Sequence, residues 1–315
     1  METDGRGEAD VKTPGTIPSR RSLLTAGAGA ALAVALPAGT ARAASSPGPT
    51  HVVPRLRELE RAYGARLGVY ARDTATGRTV LHRSDELFPM CSVFKTVAAA
   101  AVLRDLDRDG TFLAKRIHYT QQDVTDAGGG EITKLPENIA GGLTVAQLCS
   151  AAIAQSDNAA ANLLLRELGG PTAVTRFCRS VGDRTTRLDR WEPALNSAEP
   201  ERVTDTTTPR AIGQTYARLT LGRLLVPQDR ERLTGWLLAN TTSADRLRAG
   251  LPRDWAVADK TGAGSYGTNN NVGVAWPPGR PPVVLSILST MPDADAVRDN
   301  ALIAKTAKLL ADTFA

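Results

Sequence analysis

The amino-acid sequence predicts an α+β fold, in which an antiparallel five-stranded sheet is formed from both ends of the chain and packs with a mostly helical segment. Near the start, two runs alternate between apolar and polar residues and flank a polar turn at 73–77, which is typical of a β-hairpin. Three more strand-like runs lie beyond residue 254, and helical spacing dominates between the two groups. The predicted strands are 66–71, 79–82, 255–260, 271–276 and 283–290.

Helices are predicted where apolar residues recur every three to four positions. The first helix carries Leu56, Leu59 and Ala62 on one face, and the last carries an apolar stripe that includes Leu302 and Leu309. The predicted helices cover 54–63, a segment that begins near 92, 144–154, 159–168, 171–181, 209–221, 228–238 and 294–314.

Two segments are predicted as loops. Residues 123–142 are polar and rich in glycine, which favours a surface loop. Residues 185–208 show no clear period and contain Pro193 and Pro200. A structureless segment of that length in a compact domain is usually functional or disordered.

Residues 1–43 are predicted to be a twin-arginine (Tat) signal peptide rather than part of the fold. Arg20 and Arg21 precede a mildly hydrophobic stretch that ends at Leu36, and Ala41-Arg42-Ala43 follows as a cleavage site. A membrane anchor is the alternative, and the short, small-residue-rich stretch disfavours it. We expect an exported protein, extracellular or periplasmic, without a membrane span in its mature form. Residues 44–315 would form one catalytic domain, with a sheet part (44–91 plus 241–315) and a helical part (92–240).

Composition excludes several classes of protein. The 315 residues are 42% hydrophobic, enough for a large core, and aromatic residues make up only 4%, too few for a base-stacking platform that binds nucleic acid. The three histidines are far apart and have no close cysteine neighbours, so no metal site and no cofactor are predicted. The three cysteines, Cys91, Cys149 and Cys178, are expected to be small buried hydrophobic residues.

Ser92 and Lys95 are the first candidate pair for chemistry. In a helix, residues i and i+3 lie on one face, so the hydroxyl and the ammonium group would be neighbours. An apolar run, 98–103, follows and would carry the helix through the interior. A lysine there must be paired or have a lowered pKa, and both conditions suit proton transfer beside a nucleophile. The alternative is an ordinary surface helix, because Ser-x-x-Lys is common by chance.

Two further triplets have ordinary interpretations when each is taken alone. Ser156-Asp157-Asn158 precedes an apolar helical run and could be a helix N-cap. Lys260-Thr261-Gly262 ends an apolar strand and could be a simple turn. Their order and separation from Ser92-x-x-Lys95 make coincidence a poor explanation.

With these three motifs, residues 44–315 resemble a class A serine β-lactamase of the actinobacterial type, along nearly their full length. The resemblance implies Ser92 as acylating nucleophile, Lys95 as its proton-transfer partner and Ser156 as the group that passes a proton to the departing nitrogen. Asn158 would hold the amide of the substrate side chain, and the backbone N–H groups of Ser92 and Ala263 would form the oxyanion hole. The implied substrate-binding residues are Asn158, Lys260, Thr261, Gly262, Ala263 and Arg246.

The segment from Arg190 to Asn196 is similar to the Ω-loop of these enzymes. The resemblance implies that Glu192 and Asn196 hold the water that hydrolyses the acyl-enzyme, and that Arg190 and Asp205 close the loop with an ion pair. An acyl ester persists unless a base delivers water to it, and a carboxylate one water away from the ester carbon supplies that base. Either Lys95 or Glu192 could remove the Ser92 proton during acylation.

The sequence departs from its relatives at three places. Many relatives carry an arginine near the position of Asn269, and here Arg246 is expected to replace it as the anchor for the substrate carboxylate; a surface charge is the alternative. Residues 126–130 stand where relatives often have an aromatic gate. Gly264 stands where some relatives pair a cysteine with the one before the nucleophile, and Ala99 stands opposite Cys149. No disulfide is therefore expected.

Three functions follow from this interpretation. The leading hypothesis is a monomeric, exported hydrolase that opens β-lactams, such as penicillins and cephalosporins, and confers resistance to them. A D-Ala-D-Ala transpeptidase or carboxypeptidase would share the serine and lysines but would lack a deacylating carboxylate, so Glu192 argues against it. A β-lactam sensor that remains acylated is normally fused to a membrane segment, and none follows residue 43.

Overall fold

The computed structural model describes residues 51–314, in which an antiparallel five-stranded sheet is packed with helices. The strands are β1 (Arg66–Asp73), β2 (Thr79–His82), β3 (Ala256–Ala263), β4 (Asn269–Trp276) and β5 (Val283–Thr290). Their order across the sheet is β2-β1-β5-β4-β3. The predicted α+β fold, with a sheet formed from both ends of the chain, is confirmed.

The register of the sheet joins the two ends of the chain. Val69 of β1 lies opposite His82 on one side and opposite Ile287 of β5 on the other. Lys260 of β3 lies opposite Val272 of β4. Lys260-Thr261-Gly262 therefore lies on β3, an edge strand of the sheet.

Twelve helices surround this sheet in the described part of the chain. They are α1 (Val52–Tyr63), α2 (Phe94–Ala101), α3 (Thr111–Ala114), α4 (Gln121–Asp126), α5 (Pro136–Gly141), α6 (Val145–Ala154), α7 (Asn158–Leu168), α8 (Thr172–Ser180), α9 (Pro209–Thr220), α10 (Pro227–Leu238), α11 (Leu247–Gly250) and α12 (Asn300–Phe314). None of these helices has the length and apolar character that a crossing of the bilayer needs.

Two large cores lie in the described residues. One fills the helical segment around α2, α6 and α7, where Phe94, Leu148 and Leu164 are fully buried. The other packs α1 and α12 on the opposite side of the sheet and includes Leu67 and Leu310. Apolar burial stabilises by about 25 cal/mol per Å², so these cores fix α2 and β3, the two elements that carry the lysines.

Two predictions of local structure were wrong. Residues 123–142 are not one loop, because they contain part of α4 and all of α5. Thr120 and Asp123 form a capping box that starts α4, and Pro136 occupies the first turn of α5. The sequence did not reveal α4 and α5 because helices of six residues are too short to show a clear apolar period. The last helix begins at Asn300 rather than at 294, after turns in which Asp293 accepts from the Asp295 backbone.

The three cysteines are buried free thiols, as expected of small hydrophobic residues. Burial raises the pKa of each thiol. The proposed signal peptide, residues 1–43, lies outside the described residues.

Candidate active site

Ser92 and Lys95 lie at the start of a buried helix. A 3₁₀ turn, Cys91–Val93, leads directly into α2, and Lys95 is fully buried while Ser92 is 7% exposed. The surrounding backbone is fixed from two sides. Asn270 donates to the Pro89 and Met90 carbonyls at 2.9 and 3.1 Å, and the Tyr216 hydroxyl donates to the Val93 carbonyl at 2.7 Å. The predicted interior helix is therefore confirmed.

Lys95 is paired rather than isolated. Its Nζ lies 3.0 Å from Glu192 Oε1 and donates to Asn158 Oδ1 at 2.6 Å and to the Ser156 carbonyl at 2.8 Å. A buried ammonium group is tolerated only with such compensation. One lysine thus joins Ser156, Asn158 and Glu192, which are distant from it in sequence.

Glu192 is the carboxylate of this cluster and is 2% exposed. Its Oε1 accepts from Ser92 Oγ at 3.4 Å, and its Oε2 accepts from Asn196 Nδ2 at 2.5 Å. The Asn162 side chain holds the main chain of Glu192 at both ends, since it accepts from the backbone N at 3.0 Å and donates to the carbonyl at 2.9 Å. Sequence reasoning missed Asn162, although a polar residue inside the apolar run of α7 was a usable signal.

The loop that carries Glu192, here the 190–205 loop, is closed by an ion pair. Arg190 Nε lies 2.5 Å from Asp205 Oδ2, and Asp205 Oδ1 accepts from the backbone N of Asp189 and Arg190 at 2.7 and 3.0 Å. The Asp205 carbonyl also accepts from Met90 N at 2.8 Å. This aspartate therefore joins the loop to the segment that leads into Ser92.

Ser156 and Lys260 face each other across the site. Lys260 Nζ donates to Ser156 Oγ at 2.9 Å and to the Thr261 carbonyl at 2.9 Å. Burial, followed by the nearby Lys95 ammonium group, holds the pKa of Lys260 well below its usual range. Asp157 is also the N-cap of α7, since its side chain accepts from Ala160 N at 2.8 Å. Ser156-Asp157-Asn158 therefore starts a helix, as its ordinary interpretation predicts, and also contributes Ser156 and Asn158 to the site.

The neighbouring loop, 126–130, packs against the site without an aromatic side chain. Asn158 Nδ2 donates to the Ala127 carbonyl at 3.2 Å. A Cβ on Gly130 would lie 2.2 Å from Asp157 Oδ1, so only glycine fits there. A Cβ on Gly128, whose φ is +75°, would lie 3.1 Å from the Cβ of Pro193 in the 190–205 loop.

Arg246 is buried beside the lysine strand. It is 7% exposed, and its Nε and Nη1 have no hydrogen-bond partner among residues 51–314. Burial lowers its pKa, and the Arg298 charge lowers it further. The charge of Arg246 also helps to lower the pKa of Lys260, so the two cations are close enough to repel each other. The interpretation of Arg246 as a solvated surface charge is wrong.

Asn269 does not contribute a side chain to this region. It donates to the Asp299 carbonyl at 3.1 Å and to Asn300 Oδ1 at 3.0 Å, at the start of α12. Thr261 Oγ1 instead lies 2.5 Å from Thr242 Oγ1, a contact that the sequence did not reveal.

Gly262 lets β3 approach the segment that carries the nucleophile. A Cβ there would lie 3.0 Å from the Met90 carbonyl and 3.3 Å from the Cys91 Cβ. The next residue, Ala263, is the last of β3 and pairs with Asn269. This close approach brings the end of β3 beside the 3₁₀ turn of Ser92.

Comparisons with known proteins agree with this geometry. A family model described as "Beta-lactamase enzyme family" matches residues 51–314. A β-lactamase from Streptomyces lavendulae is 70% identical over 303 residues, which cover 96% of this chain and 99% of the relative. A carbapenem-hydrolyzing β-lactamase KPC from Klebsiella oxytoca is 46% identical, with 80% and 85% covered.

Solved structures give the same result. The β-lactamase from Streptomyces albus G superposes with a TM-score of 0.83 at 66% identity, covering 84% of this chain and 99% of that one. An ancestral class A β-lactamase variant superposes with a TM-score of 0.79 at 50% identity. Fold and site thus define a class A serine enzyme. The chain belongs to the β-lactamase enzyme family, and β-lactam hydrolysis is its activity.

Proposed function

We propose that the protein hydrolyses the β-lactam amide through an acyl-enzyme on Ser92, which water activated by Glu192 then releases. The observation that carries this proposal is the position of the Glu192 carboxylate, with one oxygen toward Ser92 and Lys95 and the other toward Asn196. A single carboxylate can therefore act on the nucleophile and on a water molecule.

In the acylation step, Ser92 Oγ attacks the carbonyl carbon of the lactam and loses its proton to Lys95 or Glu192. The carbonyl oxygen gains negative charge, which the backbone N–H groups of Ser92 and Ala263 would stabilise. The C–N bond then breaks, and the nitrogen takes a proton from Ser156. The contacts of Ser156 Oγ with Lys260 at 2.9 Å and Lys95 at 3.4 Å support a proton path back to it.

In the deacylation step, a water molecule attacks the ester carbon while Glu192 takes its proton. The bond between that carbon and Ser92 Oγ then breaks, and Ser92 takes the proton back from Glu192, which frees the enzyme and the ring-opened product. Asn196 Oδ1 is buried and has no hydrogen-bond partner among residues 51–314, although Asn196 Nδ2 is bonded to Glu192. Buried polar atoms are normally satisfied by protein or by ordered water. A water between Asn196 and Glu192 would satisfy this oxygen and would be placed for attack.

The remaining residues would bind substrate. Asn158 would hold the side-chain amide, and the cations of Lys260 and Arg246 would attract the carboxylate together with Thr261 and the β3 backbone at Gly262 and Ala263. Arg246 Nε and Nη1, which have no hydrogen-bond partner among residues 51–314, support this role, because a buried guanidinium is costly without an anion. Arg190 and Asp205 would keep the Ω-loop closed.

Glu192 also separates this function from its alternatives. A transpeptidase or a sensor could use the same serine and lysines, but neither needs a carboxylate aimed at water. The test is Glu192→Gln, with the parent and exposed Glu201→Gln as controls, using a chromogenic cephalosporin and the mass of the intact protein. We expect many turnovers for the parent and for Glu201→Gln. Glu192→Gln should lose at least about 10³-fold in turnover, as loss of a positioned base does, and should accumulate an adduct on Ser92.

A parent enzyme that stops after one equivalent would contradict the proposal. A Glu192→Gln variant that turns over at the parental rate would remove Glu192 from the deacylation step.

We also propose that the mature protein is a monomer exported by the Tat pathway, as the twin-arginine segment indicates. Replacing Arg20 and Arg21 by lysine should block export, so that the active enzyme stays inside the producing cells. Unchanged export of the variant would contradict this route, and sedimentation of the mature enzyme tests the monomer.

A further inference from the structure

We propose that Thr242 is a positioning residue for the substrate carboxylate, and that its hydroxyl reverses its hydrogen bond with Thr261 when the carboxylate binds. The proposal rests on the carboxylate-binding role proposed above for Thr261. It is carried by the 2.5 Å contact between the two hydroxyl oxygens and by the hydrogen bonds that surround it.

The direction of the bond follows from counting hydrogens. Thr242 donates to Asn240 Oδ1 twice, from its backbone N at 3.0 Å and from its hydroxyl at 2.8 Å. A backbone N–H can only donate, so the oxygen of the Asn240 side chain faces Thr242. Because a hydroxyl has one hydrogen, Thr242 has none left for Thr261. In the free protein Thr261 therefore donates to Thr242, and its own hydrogen is not available to a substrate.

A bound carboxylate changes this balance. Ionised acceptors form stronger hydrogen bonds than neutral hydroxyls do, and the nearby cations, Lys260 and Arg246, draw an anion to this place. When Thr261 turns its hydrogen to the carboxylate, its oxygen becomes an acceptor. Thr242 can then rotate its hydrogen from Asn240 to Thr261, and the Asn240 oxygen keeps the backbone N–H.

The reversed chain runs from Thr242 through Thr261 to the anion. Hydrogen bonds that follow one another in this way polarise each other and are strengthened. Without the Thr242 hydroxyl, the Thr261 oxygen would lack a donor in the complex. The structure thus assigns Thr242 to selecting β-lactams that carry a free carboxylate, over neutral esters of the same ring system.

The test uses Thr242→Val, which removes the hydroxyl at nearly constant volume, and Thr242→Ser, which retains it. Each variant is assayed with a cephalosporin and with the methyl ester of its carboxylate. For the free acid we expect Thr242→Val to raise KM about five-fold with kcat unchanged, the size of one net hydrogen bond. Thr242→Ser should remain within about two-fold of the parent for that substrate. With the ester, Thr242→Val and the parent should have the same KM.

Several outcomes would overturn the proposal. A lower KM of Thr242→Val for the acid would show that Thr242 only competes for the Thr261 hydrogen, and an unchanged KM would show no role. An equal increase for acid and ester would show a structural effect. Thermal melting verifies folding, and if Thr242→Val melts early, the acid-to-ester KM ratio of Thr242→Ser decides: a ratio changed more than about three-fold contradicts the proposal. A parent that does not hydrolyse the acid, or that does not distinguish acid from ester, would instead refute the function proposed for Thr261.

Discussion

The two reactive groups of the site, Ser92 and Glu192, are positioned in different ways. Ser92 precedes α2, whose eight residues, including Lys95, are all buried in the core. Glu192 is on a loop whose only helical turn among residues 190–205 is Ala194–Asn196. The nucleophile thus takes its position from packing over a whole helix, while the carboxylate depends on a few hydrogen bonds and one ion pair. Acylation should tolerate the loss of one contact better than deacylation does.

The Asn162 contacts are the strongest test of this difference. Asn162→Ala removes both hydrogen bonds to the Glu192 main chain, and misplacement of a catalytic group by about 1 Å can cost about 10²-fold in rate. We expect deacylation to slow by about that factor and acylation by less than ten-fold, as measured by single-turnover kinetics. The control is Asn138→Ala, since Asn138 also donates to a backbone carbonyl, that of Ile132, which is not part of the 190–205 loop. Equal losses in both steps would contradict the comparison.

The pH dependence of kcat/KM tests the role of Lys260, which is buried on β3. Burial lowers the pKa of Lys260 from its ordinary value of 10.5, and the protonated form is the one that would bind a carboxylate. As the pH rises through this lowered pKa, the charge is lost, so kcat/KM for penicillins should fall at a pH well below 10.5. Lys260→Arg should move the fall to higher pH, because a guanidinium stays charged. The surface variant Lys134→Arg should leave the profile unchanged, and a fall only near 10.5 in the parent would contradict the assignment.

Tyr216 should give the smallest effect. Tyr216→Phe removes the hydrogen bonds of its hydroxyl with the Val93 carbonyl and with Thr96 Oγ1, and should lower the free energy of unfolding by about 2 kcal/mol. Since the core also holds α2, we expect both chemical steps to stay within about three-fold of the parent. Chemical denaturation and single-turnover kinetics measure the two effects, with buried Tyr70→Phe as the control. A large loss of acylation would show that the hydrogen bonds of the Tyr216 hydroxyl, and not packing, place Ser92.

The sequence predicted the sheet and the main helices because their apolar periods are long. It also predicted that Ser92, Lys95, Ser156, Glu192 and Lys260 act together, and the structure brings these residues into contact. Asn162 and Thr242 were missed. The apolar run of α7 marks Asn162 as unusual but does not identify its partner, and a threonine in a loop has no distinctive spacing. Their contacts depend on tertiary structure that no local pattern encodes.

The pairing of β1 with β5 has a consequence for synthesis of the chain. Residues 66–73 must wait for residues 283–290 before the middle of the sheet can close. Lys260 follows Ser92 by more than half of the chain, so a nascent protein contains the nucleophile long before its partner strand. Pairings of such long sequence separation form slowly, and until then β1 has an unpaired edge open to other chains. The appearance of catalytic activity in a timed translation therefore reports the arrival of the C-terminal strands.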